Sequence, residues 1–283
     1  MPREPRVVLG ALNIAADPHP GGIYRRLFQA AANREVHLRG SDYAKVTAPQ
    51  DRETDPPSFY GRVLVWTEID KNGKWLNQKK NEEATSEDKA KISIPEGIDP
   101  NFRSFNFVFL EKQHLLVLEY QNELSQSFGP KSAERVFSTL FSEDYFGEDT
   151  PDVSVTVVPS TDALEKIYNI PRLRHLEIFI IRPNADDLTD ATGKVLDRLI
   201  KQGAKSQKLE LQKKAKVKSL KPDNDTKALA AVAATNGHVS GNGFDENGKP
   251  IFESTEKHPK TVALEVSGTS SIGVRFNGIR HFL

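Results

Sequence analysis

Lysines crowd the segment from Lys201 to Lys221, which reads KQGAKSQKLELQKKAKVKSLK and which we call the lysine stripe. Glu210 is the only acidic residue within it, whereas over the whole chain 39 basic side chains balance 39 acidic ones. Positive charge is therefore concentrated here, as it is in proteins that bind the phosphates of nucleic acid. The candidate nucleic-acid contacts are Lys208, Lys213, Lys214, Lys216 and Lys218.

The lysine stripe also has the pattern of a β-strand. Leu209, Leu211 and Val217 lie among the lysines, which predicts that part of the stripe is a strand with its lysines on the exposed face. Lysines on an edge strand prevent it from pairing with other chains. Three interpretations follow: a phosphate-binding surface, a protected edge strand, or a docking surface for a protein partner.

A second candidate surface lies at the C-terminus. The small residues of Ser267–Gly273 predict a turn whose exposed amides, with nearby basic side chains, could hold a phosphate. Aromatic rings just after the turn could stack on bases. The alternative is a hairpin loop followed by core phenylalanines. The candidate residues of this group are Arg275, Phe276, Arg280 and Phe282.

The histidines are the only candidates for acid–base chemistry. His19 precedes the helix that carries Arg25 and Arg26, and His37 lies between Arg34 and Arg39. A metal-independent ribonuclease can use a histidine to move a proton and basic groups to stabilise the phosphorane. We therefore take His19 and His37 as candidate catalytic residues, although most histidines have structural or surface roles.

The sequence predicts neither a metal site nor a cofactor. No histidine lies at metal-ligand spacing from other ligands, and the chain has no cysteine. The acidic residues at Asp186, Asp187 and Asp190 are explained by a helix that begins there, because carboxylates stabilise helix N-termini. Motifs for dinucleotides, nucleoside triphosphates and nucleophilic serine are absent.

Composition points to a globular protein of one or two domains. The chain has 283 residues, of which 37% are hydrophobic and 28% charged. The apolar run at its start is too short and wrongly flanked for a signal peptide or a membrane span. We expect a soluble cytoplasmic protein with no membrane partner.

The first half predicts an α+β fold with antiparallel sheets. A strand over Arg6–Ile14, a helix over Gly22–Asn33 and strands over Val36–Val46 and Phe59–Ile69 come first. A hairpin follows at Phe105–Leu110 and Leu115–Tyr120, then a helix from Pro130 to Leu140 and a strand over Val153–Val158. This order matches a ferredoxin-like β-α-β-β-α-β plan with an inserted hairpin, and both helices should pack on one face.

The domain division follows from composition. We predict a ferredoxin-like domain over residues 1–159, with a mobile insertion at 70–102, and a second α+β region over 160–283. In the second region, Ser160 or Thr161 should cap a short helix, and Asp186 or Asp187 should begin another. Several C-terminal strands follow, the last one starting at Gly273.

The chain resembles a bacterial family that is known only as a domain of unknown function. The resemblance rests on Ser219–Ala230, Asn236–Val239, Asp245–Pro250 and Ser254–Pro259, together with the Gly-Gly-Ile-Tyr-Arg-Arg helix near the start. It implies a bacterial accessory protein from a mobile or phage-defence gene cluster, and it brings no established catalytic residues. The fold is also similar to that of ferredoxin-like RNA-binding proteins of CRISPR systems, which share a late Gly-rich loop.

These observations predict a cytoplasmic bacterial nucleic-acid-binding protein, with RNA preferred over DNA and a role in phage defence. The first alternative is a metal-independent endoribonuclease or another nuclease that uses the same surface. The second is a protein-interaction module, with a protein partner or a second copy of the chain, that has no nucleic-acid role.

Overall fold

The computed structural model describes residues 5–52, 58–142, 151–184, 190–266 and 276–283. The strands are β1 (Arg6–Asp17), β2 (Glu35–Arg39), β3 (Asp42–Val46), β4 (Gln50–Arg52), β5 (Ser58–Thr67), β6 (Leu76–Asn77), β7 (Glu82–Glu83), β8 (Arg103–Leu110), β9 (Leu115–Gln121), β10 (Asp152–Val157), β11 (Arg172–Ile181), β12 (Ser206–Gln212), β13 (Gly237–Phe244), β14 (Pro250–Ser254) and β15 (Thr261–Glu265). The α-helices are α1 (Ile23–Ala31), α2 (Ser86–Ala90), α3 (Pro130–Leu140), α4 (Ala163–Tyr168), α5 (Asp190–Gln202) and α6 (Asn224–Thr235).

The structure is a mixture of helices and antiparallel sheets, as predicted. The first sheet has the order β10-β1-β9-β8-β5-β3-β2, with β15 paired to β1 and β4 paired to β5. The second sheet has the order β12-β11-β13-β14. Among the described residues, no helix is both long and apolar enough to cross a membrane.

Both long helices of the first half pack on the same face of the first sheet. Phe28 of α1 and Phe137 of α3 share one buried cluster with Phe107 and Phe109 of β8. Apolar residues recur at helical spacing in α1 and α3 and at every second position in β8, so each of the three elements turns one apolar face toward this cluster. The prediction for these helices and strands is confirmed.

The other face of the first sheet is covered by the end of the chain. Val7 and Leu9 of β1 pack there with Val117 of β9, against Val266 and Ile279. Strand β15 pairs with the first half of β1, from Arg6↔Glu265 to Gly10↔Thr261. The chain therefore returns to its first sheet after it has built the second.

Two strand predictions are wrong: one segment forms two strands, and another forms a 3-10 helix where it is described. The segment Val36–Val46 is the hairpin of β2 and β3, because Gly40, with φ 57°, allows a tight turn between them. The prediction of a last strand from Gly273 fails for the residues described, since Phe276–His281 form a 3-10 helix. A side chain at Gly278 would lie 2.7 Å from Leu264, so the glycine lets this helix approach β15.

In the second sheet, α4, α5 and α6 all pack on one face. Ile178 and Ile180 of β11 meet Val195 and Leu199 of α5 and Ala233 of α6 in a separate buried cluster. Helix α6 begins at Asp223, whose carboxylate accepts a hydrogen bond of 2.8 Å from the Thr226 amide.

The predicted cap of α4 is wrong, whereas the predicted start of α5 lies outside the described residues. Asp162, not Ser160 or Thr161, precedes the first turn of α4, and Ser160 Oγ donates to its carboxylate at 2.6 Å. Serine is a common N-cap residue, but Ser160 lies two positions before the N-cap position, which Asp162 occupies. Asp186 and Asp187 lie outside the described residues, which resume at Asp190 in α5.

Polar contacts join the two sheets along β1. Asn13 Nδ2 donates to the Thr235 carbonyl at 3.0 Å, and the Ala16 amide donates to Asn184 Oδ1 at 3.2 Å. Lys205 pairs with Asp152 at 2.6 Å. Asn184 is buried, and these bonds satisfy it, so the two sheets have a defined relative position.

Candidate nucleic-acid interface

Helices α4, α5 and α6 all pack on one face of the second sheet, and we call the opposite face the open face. Residues of β11, β12 and β13 alternate, so the side chains between the buried ones point to this face. Strand β14 adds Phe252, which lies opposite Asn242 of β13. The open face carries His175, Glu177, Phe179, Lys208, Glu210, Gln212, His238, Ser240, Asn242, Phe244 and Phe252.

Aromatic rings and cations are paired on the open face. The Arg174 guanidinium lies 4.4 Å from the centre of the Phe244 ring, and Lys257 Nζ lies 4.5 Å from that of Phe252. The Phe252 side chain is 49% exposed, which is uncommon for a residue of this size. Exposed rings flanked by cations can stack on bases and attract the adjoining phosphates.

A bulge explains how Arg174 reaches the open face. The pairing of β11 with β13 shifts register between Leu173 and His175, while Leu173 and Leu176 both remain buried. Two consecutive residues, Arg174 and His175, therefore point away from the core. Regular alternation in the sequence would have turned one of them inward.

The lysine stripe divides into a strand and a loop. Lys201 still belongs to α5, and Ser206–Gln212 form the edge strand β12, as the apolar pattern predicts. The second part of the stripe, residues 213–221, is the lysine loop. Both ends of the loop are attached to β11, since the Lys213 amide donates to Arg174 O at 2.8 Å and the Leu220 amide donates to Leu173 O at 2.9 Å.

Lys213 stabilises the lysine loop from within. Its ammonium donates to the carbonyls of Lys214 at 2.8 Å, Ala215 at 3.3 Å and Val217 at 2.6 Å. The remaining lysines of the loop are exposed, and the described part of the chain offers them no ion pair. These exposed lysines are Lys214, Lys216, Lys218 and Lys221.

Lys208 is already neutralised by acidic neighbours. Its ammonium lies 2.9 Å from Glu177 and 2.6 Å from Glu210, which face each other on β11 and β12. The hydrogen bond to Glu177, then that to Glu210, raises the pKa of Lys208 to about 12. The same hydrogen bonds lower the pKa of both carboxyls, so all three groups stay charged near neutral pH.

The acids and histidines of the open face could coordinate a metal only by displacing Lys208. Donor atoms of His175, Glu177 and Glu210 lie within 4.8 Å of one another. His238 Nε2 is 3.4 Å from Glu177 Oε1. However, the Lys208 ammonium bonds both carboxylates and supplies the positive charge between them. We assign no metal here.

His175, Glu177, Glu210 and His238 were not among the residues predicted to form a site. His175 and Glu177 are two positions apart, a spacing that places both on one face of a strand. This spacing could have indicated that His175 and Glu177 lie together. It could not indicate that β12 and β13 pair with β11 and so bring Glu210 and His238 beside them.

The C-terminal candidates belong to the first sheet. Phe282 packs against the cluster that covers β1, and Lys260 Nζ lies 5.4 Å from the centre of its ring. Arg280 is exposed. Arg275 and the side chain of Phe276 lie outside the described residues. The structure does not bring Arg280 and Phe282 onto the sheet that carries the lysine loop.

The candidate catalytic histidines lie in different settings. His37 is exposed on β2, where its Nε2 is 2.7 Å from Gly40 O and its ring packs on Tyr43. His19 follows β1 and packs against His114 and Tyr24, at ring-centre distances of 4.9 and 5.2 Å. Arg25, expected to assist His19, pairs instead with Asp51.

Tyr24 links the His19 cluster to the core. Its hydroxyl lies 3.0 Å from both Ile14 O and Asn184 Oδ1, and it can donate to one of them at a time. His114 is buried and adopts a left-handed backbone with φ 54°. Neither His114 nor Asn184 was a candidate, because their neighbours in space are distant in sequence.

Comparison with known proteins identifies a family. The model of the family described as "Domain of unknown function (DUF4747)" matches residues 6–279, nearly the entire length of the chain. No curated protein matches the sequence.

Proposed function

We propose that this chain, which belongs to the DUF4747 family, binds single-stranded nucleic acid on the open face of its second sheet, with RNA as the preferred ligand. The observation that carries the proposal is the open face itself, where the half-buried Phe244 and the exposed Phe252 pair with cations, beside lysines that make no ion pair with any described residue. Single-stranded RNA is usually recognised through unstacked bases, which such rings can accept.

Bases and phosphates have separate contacts in this proposal. Bases stack on Phe244 and Phe252, and phosphates bind Arg174, Lys257 and the exposed lysines of the lysine loop. Glu177 and Glu210 would repel phosphates if they were unpaired. Lys208 compensates one of their two charges, so phosphates should bind along the lysine loop rather than beside Glu177 and Glu210.

We also propose a ferredoxin-like plan for the first half. The order β10-β1-β9-β8, with α1 and α3 on one face, supports it. In this alignment the β8–β9 hairpin supplies the second and third strands of the plan, and the elements from β2 to β7 are the insertion. The sequence pattern had instead predicted an inserted hairpin later in the chain, just before α3. The resemblance alone supports the further proposal of a bacterial cytoplasmic protein in phage defence.

Titration of labelled single strands tests the binding proposal. A dye-labelled oligouridine is titrated at several salt concentrations with wild type and with the triple variant Lys214→Ala, Lys216→Ala and Lys218→Ala. Each lost phosphate contact should reduce the salt slope by about 0.7 for a single strand. Phe252→Ala should cost about 1–3 kcal/mol if a base stacks there.

Lys208→Ala is the matched control, because it also removes one lysine of the stripe. It should reduce the salt slope less than loss of a loop lysine, since Lys208 pairs with Glu177 and Glu210 rather than with phosphate, although the two carboxylates left unpaired should weaken binding overall. Equal reductions of the salt slope on loss of Lys208 and on loss of a single loop lysine would contradict the proposed interface. Wild type that binds neither RNA nor DNA below about 100 µM at low salt would favour a protein-interaction module.

The same samples separate binding from cleavage. Labelled RNA that stays intact with and without chelator agrees with a binding protein. Cleavage that survives chelation and is lost in His19→Ala would instead favour the metal-independent endoribonuclease, because His19 packs beside a second histidine and a tyrosine.

A further inference from the structure

A second cationic site lies on the first sheet, and its lining includes no residue of the open face. A cavity of 230 Å³ opens where the N-terminus of α3 meets β2, β3 and the start of β8. Four of its lining side chains are cationic: Arg39, Arg103, Lys131 and Arg135. We call this cavity the arginine cleft.

The charge of the arginine cleft is only partly compensated. Asp42, its one lining carboxylate, accepts a hydrogen bond of 2.8 Å from Arg103. Lys131 pairs with Glu134 at 3.2 Å and also with Glu256. Arg39 and Arg135 make no ion pair in the part of the chain that the structure describes. The cleft therefore has an excess of positive charge that an anion would neutralise.

Directional donors accompany this charge. Ser127 and Ser132 line the cleft and offer hydroxyl groups. Arg103 Nε is buried and has no hydrogen-bond partner among the described residues, which is unusual for a buried donor. Lys131 and Ser132 also occupy the first turn of α3, where backbone N–H groups have no acceptor within the helix and Gly129 provides no side-chain cap.

The size of the arginine cleft limits its ligand. Pockets for drug-sized molecules usually span about 300–1,000 Å³, so 230 Å³ suits a small anion or one end of a longer molecule. Arginine forks match the oxygens of phosphate, and several forks favour a dianion over a monoanion. Buried Leu38, Val65 and Phe128 form the apolar wall.

We propose that the arginine cleft binds the dianionic phosphate of a phosphate monoester or of free inorganic phosphate. The site does not depend on the open face, since it uses different residues on a different sheet. Either proposal can fail without the other.

Calorimetric titration with inorganic phosphate in a low-salt buffer tests the site. Wild type should bind one equivalent, and Arg39→Ala and Arg135→Ala should each weaken binding about tenfold or more. Asp42→Asn should tighten binding several-fold, because it removes a lining carboxylate and frees Arg103. Arg39 and Arg135 are exposed and make no ion pair with the described residues, so their alanine variants should keep the wild-type thermal unfolding midpoint.

Arg62→Ala is the matched control. Arg62 is exposed on β5 and follows Gly61 in the alternation that points Val63 toward α1 and α3, so it faces the other side of the sheet. Its loss should leave phosphate binding unchanged. No saturable binding by wild type up to about 10 mM phosphate would overturn the proposal. Binding unaffected by loss of Arg39 and Arg135 would overturn it equally.

Two further ligands identify the source of the phosphate. Adenosine monophosphate and a 5′-phosphorylated oligouridine are compared with inorganic phosphate and with the 5′-hydroxyl oligouridine. Tighter binding of either phosphorylated compound, lost in Arg39→Ala, assigns the cleft to a monoester. Equal affinity for inorganic phosphate and the monoesters assigns it to the free anion.

Discussion

Glu134 is a carboxylate whose surroundings disfavour its charge. It projects from α3, and its side chain retains 22% exposure. Burial raises its pKa above 4.5, although the charge and hydrogen bond of Lys131 act in the opposite direction. Glu134 illustrates that a nearby lysine does not guarantee a net gain from ionisation.

Replacement of Glu134 by Gln should change how stability depends on pH. Because the pKa of Glu134 is raised in the folded protein, folding favours its neutral form. Its contribution to the free energy of unfolding is therefore fully present below pH 4.5, and it is lost as pH rises through the raised pKa. Glutamine does not ionise. The free energy of unfolding of Glu134→Gln relative to wild type should therefore increase between about pH 4 and pH 7, by less than about 1 kcal/mol.

Urea unfolding at several pH values measures this effect. A difference between the two proteins that is constant over the whole range would show that burial does not control the acidity of Glu134.

The sequence showed where positive charge is concentrated, but not which lysines already have partners within the protein. The sequence identified the lysine stripe, yet only the pairing of β11 with β12 separates Lys208, which has two acidic partners, from Lys214, which has none among the described residues. Likewise, the sequence does not distinguish Lys213 from the neighbouring lysines, although in the structure its ammonium donates to carbonyls of the loop. These roles depend on contacts across the fold.

At the scale of elements, the excursion between β5 and β8 is the least packed part of the first half. It contains the short strands β6 and β7 and the helix α2, which is capped by Thr85 and Asp88. No residue from 70 to 102 is buried. Local hydrogen bonds organise this segment, but little apolar burial attaches it to the sheet.

Limited trypsin digestion should therefore cut first at Lys79 or Lys80. Both are exposed in the turn between β6 and β7, whereas the lysine loop is fixed at both ends and by Lys213. Mass spectrometry of the first fragments identifies the site, and Lys79→Gln with Lys80→Gln should delay the first cut. Initial cleavage after Lys214 or Lys216 would contradict this ranking.

Local elements were the part of the fold that the sequence predicted well. The β8–β9 hairpin, α1 and α3 each show the apolar period of their own structure within a short window. The β2–β3 hairpin was missed because its two strands share one continuous pattern, and only Gly40 marks the turn. The bulge at Arg174 has no local signature, since it arises from the register of β13.

At the scale of the whole molecule, the end of the chain completes the first sheet. Ile279 is 7% exposed and packs with Val7 and Leu9 of β1. Ile279→Ala should lower the free energy of unfolding by about 2–4 kcal/mol, because it removes buried methyl groups and leaves a cavity.

Leu283→Ala is the control for this prediction. Leu283 lies four residues later but is 62% exposed, so its loss should change stability by no more than about 0.5 kcal/mol. Urea unfolding measures both variants. Equal stability of Ile279→Ala and wild type would show that the C-terminal segment does not contribute to the core of the first sheet.

No local pattern in the sequence predicts this arrangement. Both β1 and β15 read as ordinary strands, and nothing in either indicates its partner. The cost of closing so long a loop grows only slowly with its length, so the fold tolerates the separation. Sequence spacing thus predicted individual strands and helices, whereas the assignment of β15 to the first sheet required the structure.

The pairing of β1 with β15 has a consequence for synthesis on the ribosome. Chains emerge from the N-terminus, at about 5–20 residues per second, and domains usually fold as they appear. Strand β1 is synthesised long before β15, because its partner over Arg6–Gly10 is completed only at Glu265. While the residues between them are being synthesised, that edge of β1 remains unpaired, with Val7 and Leu9 uncovered. The nascent protein therefore carries an aggregation-prone edge that only the later synthesis of β15 can close.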